Sequence, residues 1–207
     1  MTPLTLALPK GRLFEQVQEH FAARGLVFDF NDRKLTANDS SGRLKIILVK
    51  NADLPTYVHH GIAGLGLCGD DVVYESGYEF PHLLSFDFGH TSMALAARKN
   101  HVRTEHLSGS GHLTIATKFT RFTRDYFHGQ GVPVKIIRLD GSVELAPVLG
   151  LAPYIVDLVE TGSTLKANGL EVLETLKKIG VNLFANAAYY KLHYQEIGSL
   201  VDTLRTS

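Results

Sequence analysis

Short apolar segments alternate along this chain with segments of helical period, and that alternation confines the fold to the α/β class. Residues 4–8 read as a strand, and residues 11–24 as an amphipathic helix with Leu13, Val17 and Phe21 spaced by fours on one face. Strands are expected at 44–49 and 64–68, and helices at 52–59 and 71–76. The pattern then restarts. It gives strands at 92–98, 112–117, 134–139 and 154–159, a helix at 121–127, helix-compatible spacing from 165 to 170 and one helical pattern from 190 to 204. Ser108-Gly109-Ser110-Gly111 reads as a flexible loop. The alternation does not separate one domain from two, since 207 residues suits either.

Composition excludes several classes of function. Lys plus Arg and Asp plus Glu number 21 each, so the chain has no net charge to draw it to nucleic acid or to a membrane surface. Any anion site must therefore be local. Hydrophobic residues make up 44% of the chain, and a chain of this size buries about 70% of its unfolded surface, so a packed core is expected. Cys68 is the only cysteine, which rules out an internal disulfide and a cysteine-based zinc site; its apolar flanks predict a buried small residue. The N-terminus lacks the order of a secretory signal, and no apolar run approaches 18 residues, so a cytoplasmic location is expected.

The segment Asp157-Leu158-Val159-Glu160-Thr161-Gly162-Ser163-Thr164-Leu165 carries the clearest chemical signal. An apolar strand containing one carboxylate runs into small hydroxyl residues that open a helix. Backbone N–H groups from Thr161 to Leu165 would face a helix N-terminus, where orphan donors and the dipole favour an anion. Gly162 lets the main chain approach a phosphate, and the Ser163 and Thr164 hydroxyls add donors. The same residues also suit an ordinary turn in which Thr161 or Ser163 caps the helix, and this segment alone leaves both readings open.

The stretch Asp140-Gly141-Ser142-Val143-Glu144-Leu145-Ala146-Pro147, with Gly150-Leu151-Ala152 and the loop above, resembles the signature region of the ATP phosphoribosyltransferase family. Those enzymes open histidine biosynthesis. Leu6-Ala7-Leu8-Pro9-Lys10-Gly11-Arg12-Leu13 is similar to the family's first strand and basic turn. Asn51-Ala52-Asp53-Leu54-Pro55-Thr56-Tyr57-Val58 and residues 64–71 resemble its next two blocks. The resemblance implies a two-lobed α/β fold of the periplasmic-binding-protein type (type II) with the active site in the interlobe cleft. Its lobes would comprise residues 1–88 with 178–207, and 89–177.

The resemblance further implies transfer of a phosphoribosyl group from phosphoribosyl pyrophosphate to N1 of the adenine of ATP, releasing pyrophosphate. Such a reaction needs orientation and electrostatic stabilisation of the leaving group rather than a covalent intermediate. Lys10 and Arg12 suit that task. Cations at a helix N-terminus oppose its dipole unless an anion arrives, and a guanidinium can hold phosphate oxygens through two parallel bonds. Arg33 and Lys50 are added by resemblance. Glu144 and Asp157 would serve the ribose hydroxyls and a magnesium ion, which is satisfied by one or two carboxylates plus substrate phosphates. A carboxylate inside an apolar strand also suits a salt bridge to a neighbouring lobe. Glu160 is expected in the first turn of the helix, and Asp70 and Asp71 at a strand end facing the cleft.

Other patterns resolve against function. Gly64-Leu65-Gly66-Leu67-Cys68-Gly69 matches the dinucleotide fingerprint as written, yet a real fingerprint follows a strand and opens a helix, whereas here the leucines alternate within the strand itself, preceded by a helix. None of the ten histidines forms H-E-x-x-H. Pro153 stands where relatives carry an acidic residue. The chain resembles the family's short form, which implies a separate regulatory subunit related to histidyl-tRNA synthetase, a homodimer alone and a hetero-octamer with that partner. The competing class is a two-lobed solute-binding protein without catalysis, because fold does not decide function.

Overall fold

The computed structural model describes residues 3–30, 34–99 and 111–205. They divide into two compact units, one of residues 1–89 and 180–207, the other of residues 90–179.

In the first unit, β1 (Leu4–Pro9) pairs in parallel with β3 (Leu44–Val49) and β4 (Leu65–Gly69). β2 (Thr36–Asn38) lies antiparallel to β3, and β9 (Leu170–Ala185) antiparallel to β4, Leu65 facing Ala185. Period-two alternation sorts the side chains to two cores. Leu4, Leu6 and Leu8 meet Val17 and Phe21 of α1 (Arg12–Ala22) and Ile197, Leu200, Val201 and Leu204 of α8 (Tyr194–Arg205). Ala7 and Cys68 point the other way, to Leu54 and Val58 of α2 (Leu54–His59) and Val72 of α3 (Asp70–Ser76). Cys68 is fully buried, and burial, aided by the nearby Asp71 and Asp70, pushes its thiol well up.

The glycines of β4 are packing residues. A Cβ on Gly64, just before the strand, would lie 2.1 Å from the ring of Tyr189. One on Gly66 would lie 2.6 Å from Phe184 and 2.8 Å from Leu54. The fingerprint-like spacing therefore makes room for two aromatic rings.

In the second unit, β8 (Tyr154–Val159) lies antiparallel to β5 (His82–Arg98) and parallel to β6 (Leu113–Thr117), which pairs in parallel with β7 (Val134–Arg138). One face buries Met93, Leu95, Ile115, Tyr154 and Val156 against Phe122 and Phe127 of α4 (Thr120–Gly129). The other buries Ala96, Ala116 and Ile155 against Ala146 of α5 (Leu145–Leu149) and Leu165 of α6 (Ser163–Ala167). Both β5 and β9 contribute residues to each unit.

Several elements differ from the sequence reading. β5 starts at His82, not at residue 92: it runs beside β9 there, while polar residues interrupting its apolar ones up to His90 hide the strand in the sequence. The helical spacing expected over 165–170 gives way to a five-residue helix, a positive φ of 69° at Gly169 and the start of β9 at Leu170. The single helix expected over 190–204 is two. α7 (Ala187–Leu192) is capped by Asn186, whose side chain accepts from the N–H groups of Ala188 and Tyr189, and a break at His193 precedes α8. Residues 51–53 form a 3₁₀ turn before α2, with Pro55 in the helix's first turn, where its missing N–H costs nothing.

Candidate active site

In the first unit, the parallel pairing of β1, β3 and β4 brings their C-terminal ends to one edge of the sheet. Lys10, Lys50 and Asp70 follow those ends directly. The Lys10 N–H donates to the Val49 carbonyl at 3.0 Å, so the two basic residues leave neighbouring strands side by side. Gly11 has φ 99° and ψ −158°, a region open essentially to glycine alone, and this turns the chain so that Arg12 opens α1. Lys10, Arg12 and Lys50 are exposed. Asp70 is engaged within the protein. Its carboxylate accepts from the Gly180 N–H at 3.4 Å and from the Asn182 amide. Asn182 in turn accepts from Ser85 Oγ at 2.7 Å, with His82 Nε2 at 3.0 Å from both. Asp71 is buried. Arg33 lies outside the described residues.

In the second unit, Asp157 sits on β8 opposite Ala94 with its side chain 28% exposed. Burial raises its pKa. Lys118, with Nζ 3.9 Å from the carboxylate, and the Leu158 N–H oppose that rise, while Glu144 adds to it. Glu144 and Asp157 thus repel one another, and the ion pair of Asp157 is made with Lys118 of its own unit, not with a neighbouring lobe. Among the described residues no group of three or more His, Cys, Asp or Glu could hold a metal by itself. Two carboxylates fit magnesium only with substrate oxygens completing the shell.

Lys118 escaped the sequence reading. Thr117 holds the turn that presents it, donating through Oγ1 to the Val156 carbonyl at 2.6 Å and accepting from the Phe119 N–H at 2.9 Å. The signal was its place just past a predicted strand, at the carboxyl end where such sheets bind ligands. A second feature is Ser142, with φ 47° in the loop leading to Glu144. Non-glycine residues reach that region at a cost of about 1–2 kcal/mol, and buried Val143 and the Leu145 N–H bond to the Ser142 carbonyl hold it there.

The loop after β8 differs from the expectation in three respects. Its helix cap is Gly162, at φ 72° and ψ 7°, and no side chain caps α6. Glu160 precedes the helix, so it is not in the first turn, which holds no acidic residue. The Ser163 N–H is taken up by Thr161 Oγ1 at 3.4 Å, and the Thr161 hydroxyl donates to Ser163 Oγ at 3.1 Å. With only five residues in α6 the dipole is weak, so an anion here would have to be held by loop N–H and hydroxyl groups. Thr161, Ser163 and Thr164 are exposed, while Leu165 anchors the loop in the core. The cavities lined by Ser41, Arg43 and Glu196 and by His82, Tyr190 and Tyr194 lie elsewhere in the first unit.

A family model described as ATP phosphoribosyltransferase matches residues 50–206. The ATP phosphoribosyltransferase of Caldicellulosiruptor saccharolyticus is 44% identical over 205 residues, covering 97% of each chain. That of Oceanobacillus iheyensis is 38% identical over 100% of this chain and 99% of its own. Among solved structures, the ATP phosphoribosyl transferase (HisG:HisZ) complex from Thermotoga maritima aligns with TM-score 0.83 and 34% identity over 98% of this chain and 96% of that one. The periplasmic aliphatic sulphonate binding protein of Escherichia coli aligns with TM-score 0.60 at 13% identity, over 99% of this chain and 72% of that one, which speaks for the fold alone. With its two α/β units, its basic turn after β1 and its glycine-capped loop after β8, the chain belongs to the ATP phosphoribosyltransferase family.

Proposed function

We propose that this chain transfers the phosphoribosyl group of phosphoribosyl pyrophosphate to N1 of the adenine of ATP, releasing pyrophosphate, as the first step of histidine biosynthesis. The observation that carries the reading is the loop Glu160–Thr164 at the end of β8, where Gly162 at φ 72° presents backbone donors and hydroxyls beside Asp157. That loop takes the phosphate at C5 of the ribose. Asp157 and Glu144 take the ribose hydroxyls and would hold magnesium together with substrate oxygens, where the ion would supply positive charge to the leaving group. Lys118 forms an ion pair with Asp157 at 3.9 Å.

Lys10, Arg12 and Lys50 stabilise the pyrophosphate as negative charge grows on it, and the Gly11 turn lets the first two approach it without side-chain obstruction. Asp70, tied to Gly180 and Asn182, acts as a preset acceptor for the nucleotide instead of a mobile one. Arg33 joins the catalytic cations by resemblance. A non-catalytic solute-binding role has the fold of the sulphonate-binding protein in its favour, but the relatives at 34–44% identity are named as transferases.

The Thermotoga relative is part of a HisG:HisZ complex. We extend this to a regulatory subunit related to histidyl-tRNA synthetase, with a homodimer alone and a hetero-octamer in its company, working in the cytoplasm without nucleic acid or membrane. No helix among the described residues is long and apolar enough to cross a membrane. The test is incubation with ATP, phosphoribosyl pyrophosphate and magnesium. Pyrophosphate release with a phosphoribosylated adenine nucleotide is expected, and turnover with a free base but not with ATP overturns the reading.

A further inference from the structure

Lys178 stands on β9 with its Nζ donating to Ser92 Oγ at 3.2 Å. Ser92 pairs directly with Val159, the last residue of β8 before the loop at 160–164. Directly paired residues project to the same face of a sheet, and residues two apart on a strand do likewise. Ser92, Val159 and Asp157 therefore share one face. It is the face on which Ala96 and Ile155 pack against Leu165 of α6, the helix that the loop opens. Lys178, reaching Ser92 from the next strand, lies on that face too. Among the described residues no carboxylate pairs with its ammonium, which is exposed. An ammonium held by a hydroxyl in place of a carboxylate keeps its charge available, at a spot two strands across from the loop that follows Val159.

We propose that Lys178, held by Ser92, is a further substrate-binding residue that supplies the cation for the C5 phosphate of the phosphoribosyl substrate. The inference rests on the reading of the 160–164 loop given above. The loop supplies neutral donors, and a dianionic phosphate gains from a cation beside them. A lysine serves here as a point charge, needing no bidentate geometry.

Calorimetry of the full chain with ribose 5-phosphate and, separately, with inorganic pyrophosphate tests this, alongside steady-state KM values for both substrates. Lys178→Met keeps the apolar stem and removes the charge. It should weaken ribose 5-phosphate and raise KM for phosphoribosyl pyrophosphate about 5- to 10-fold, just below the range for a charge-assisted bond because the site is exposed. KM for ATP and the affinity for pyrophosphate should stay unchanged. Lys178→Arg should retain binding, and Ser92→Ala should shift it in the same direction by less. The loss should shrink as salt is raised, since the contact is screened. Unchanged ribose 5-phosphate affinity in Lys178→Met, beside a wild type that binds it, overturns the proposal alone, as does a loss confined to pyrophosphate. A wild-type chain that binds no ribose 5-phosphate overturns the loop assignment and this inference together.

Discussion

Substituting Gly162 separates two reasons a glycine can be required. A Cβ built there meets only Val159 Cγ1, at 3.8 Å, an ordinary contact, so alanine has room within the protein. Its backbone, at φ 72° and ψ 7°, is the left-handed region. Alanine there costs about 1–2 kcal/mol, and a β-branched valine more. Asparagine enters that region more readily than either. For a chain of 150–250 residues each kcal/mol lowers Tm by about 2–4 °C, so Gly162→Ala should melt about 2–8 °C below wild type if the loop keeps its shape. If the loop relaxes instead, Tm recovers but the donors turn away and phosphoribosyl pyrophosphate is lost. In that second case binding, read by calorimetry beside thermal melts, should follow the order Gly, Asn, Ala, Val. An order by volume, with Ala binding better than Asn, would refute the conformational argument and make space at the phosphate the requirement.

Arg12→Ala should lower turnover about 10- to 100-fold while changing substrate affinity less, the value of a charge-assisted bond that strengthens in the transition state; unaltered pyrophosphate release would remove Arg12 from the catalytic cations. Gly64→Ala should cost about 1–3 kcal/mol in urea unfolding, since the Tyr189 ring must leave and its hydroxyl's bond from the Thr5 N–H, at 3.1 Å, goes with it. Asp157 has its pKa raised by burial, so its ionised form opposes folding at pH values above the carboxylate range and that penalty fades as pH falls through the folded pKa. Asp157→Asn should accordingly be more stable than wild type at pH 7, with the difference narrowing toward pH 4 in denaturant titrations, while activity drops. Histidine should leave the rate of the chain alone unchanged and inhibit once a synthetase-like subunit is added; inhibition without that subunit contradicts the proposed division of labour.

The α/β class was legible because strand and helix periods differ. Leu4, Leu6 and Leu8 turn to one core and Ala7 to the other, as period two requires. What escaped were features whose cause lies far away in sequence. The polar start of β5 is a strand because it runs beside β9, whose Asn182 bonds Ser85, and no local pattern encodes a partner 97 residues away. The break at His193 was hidden because apolar spacing runs through it from Tyr190 to Leu204. At the site, Asp157 was conspicuous as a charge within an apolar strand, whereas Lys118 and Lys178 looked like any surface lysine. Only the folded chain shows Lys118 against Asp157 and Lys178 against Ser92.

The division of the chain also bears on how it is made. Residues 90–179 are contiguous, whereas the first unit needs Gly180–Ala185 to cover the open edge of β4, and α8 to close the core over Leu6 and Leu8. At about 5–20 residues per second, the ribosome completes α8 roughly 6–23 s after the first 89 residues have been synthesised. Through that interval β4 shows an unpaired edge of apolar and glycine residues, Leu65 to Gly69, the kind of edge on which other strands add. The later-made segment is thus the first that can fold to completion, and the earlier-made one depends on chaperones or on speed to stay single until its last strand arrives.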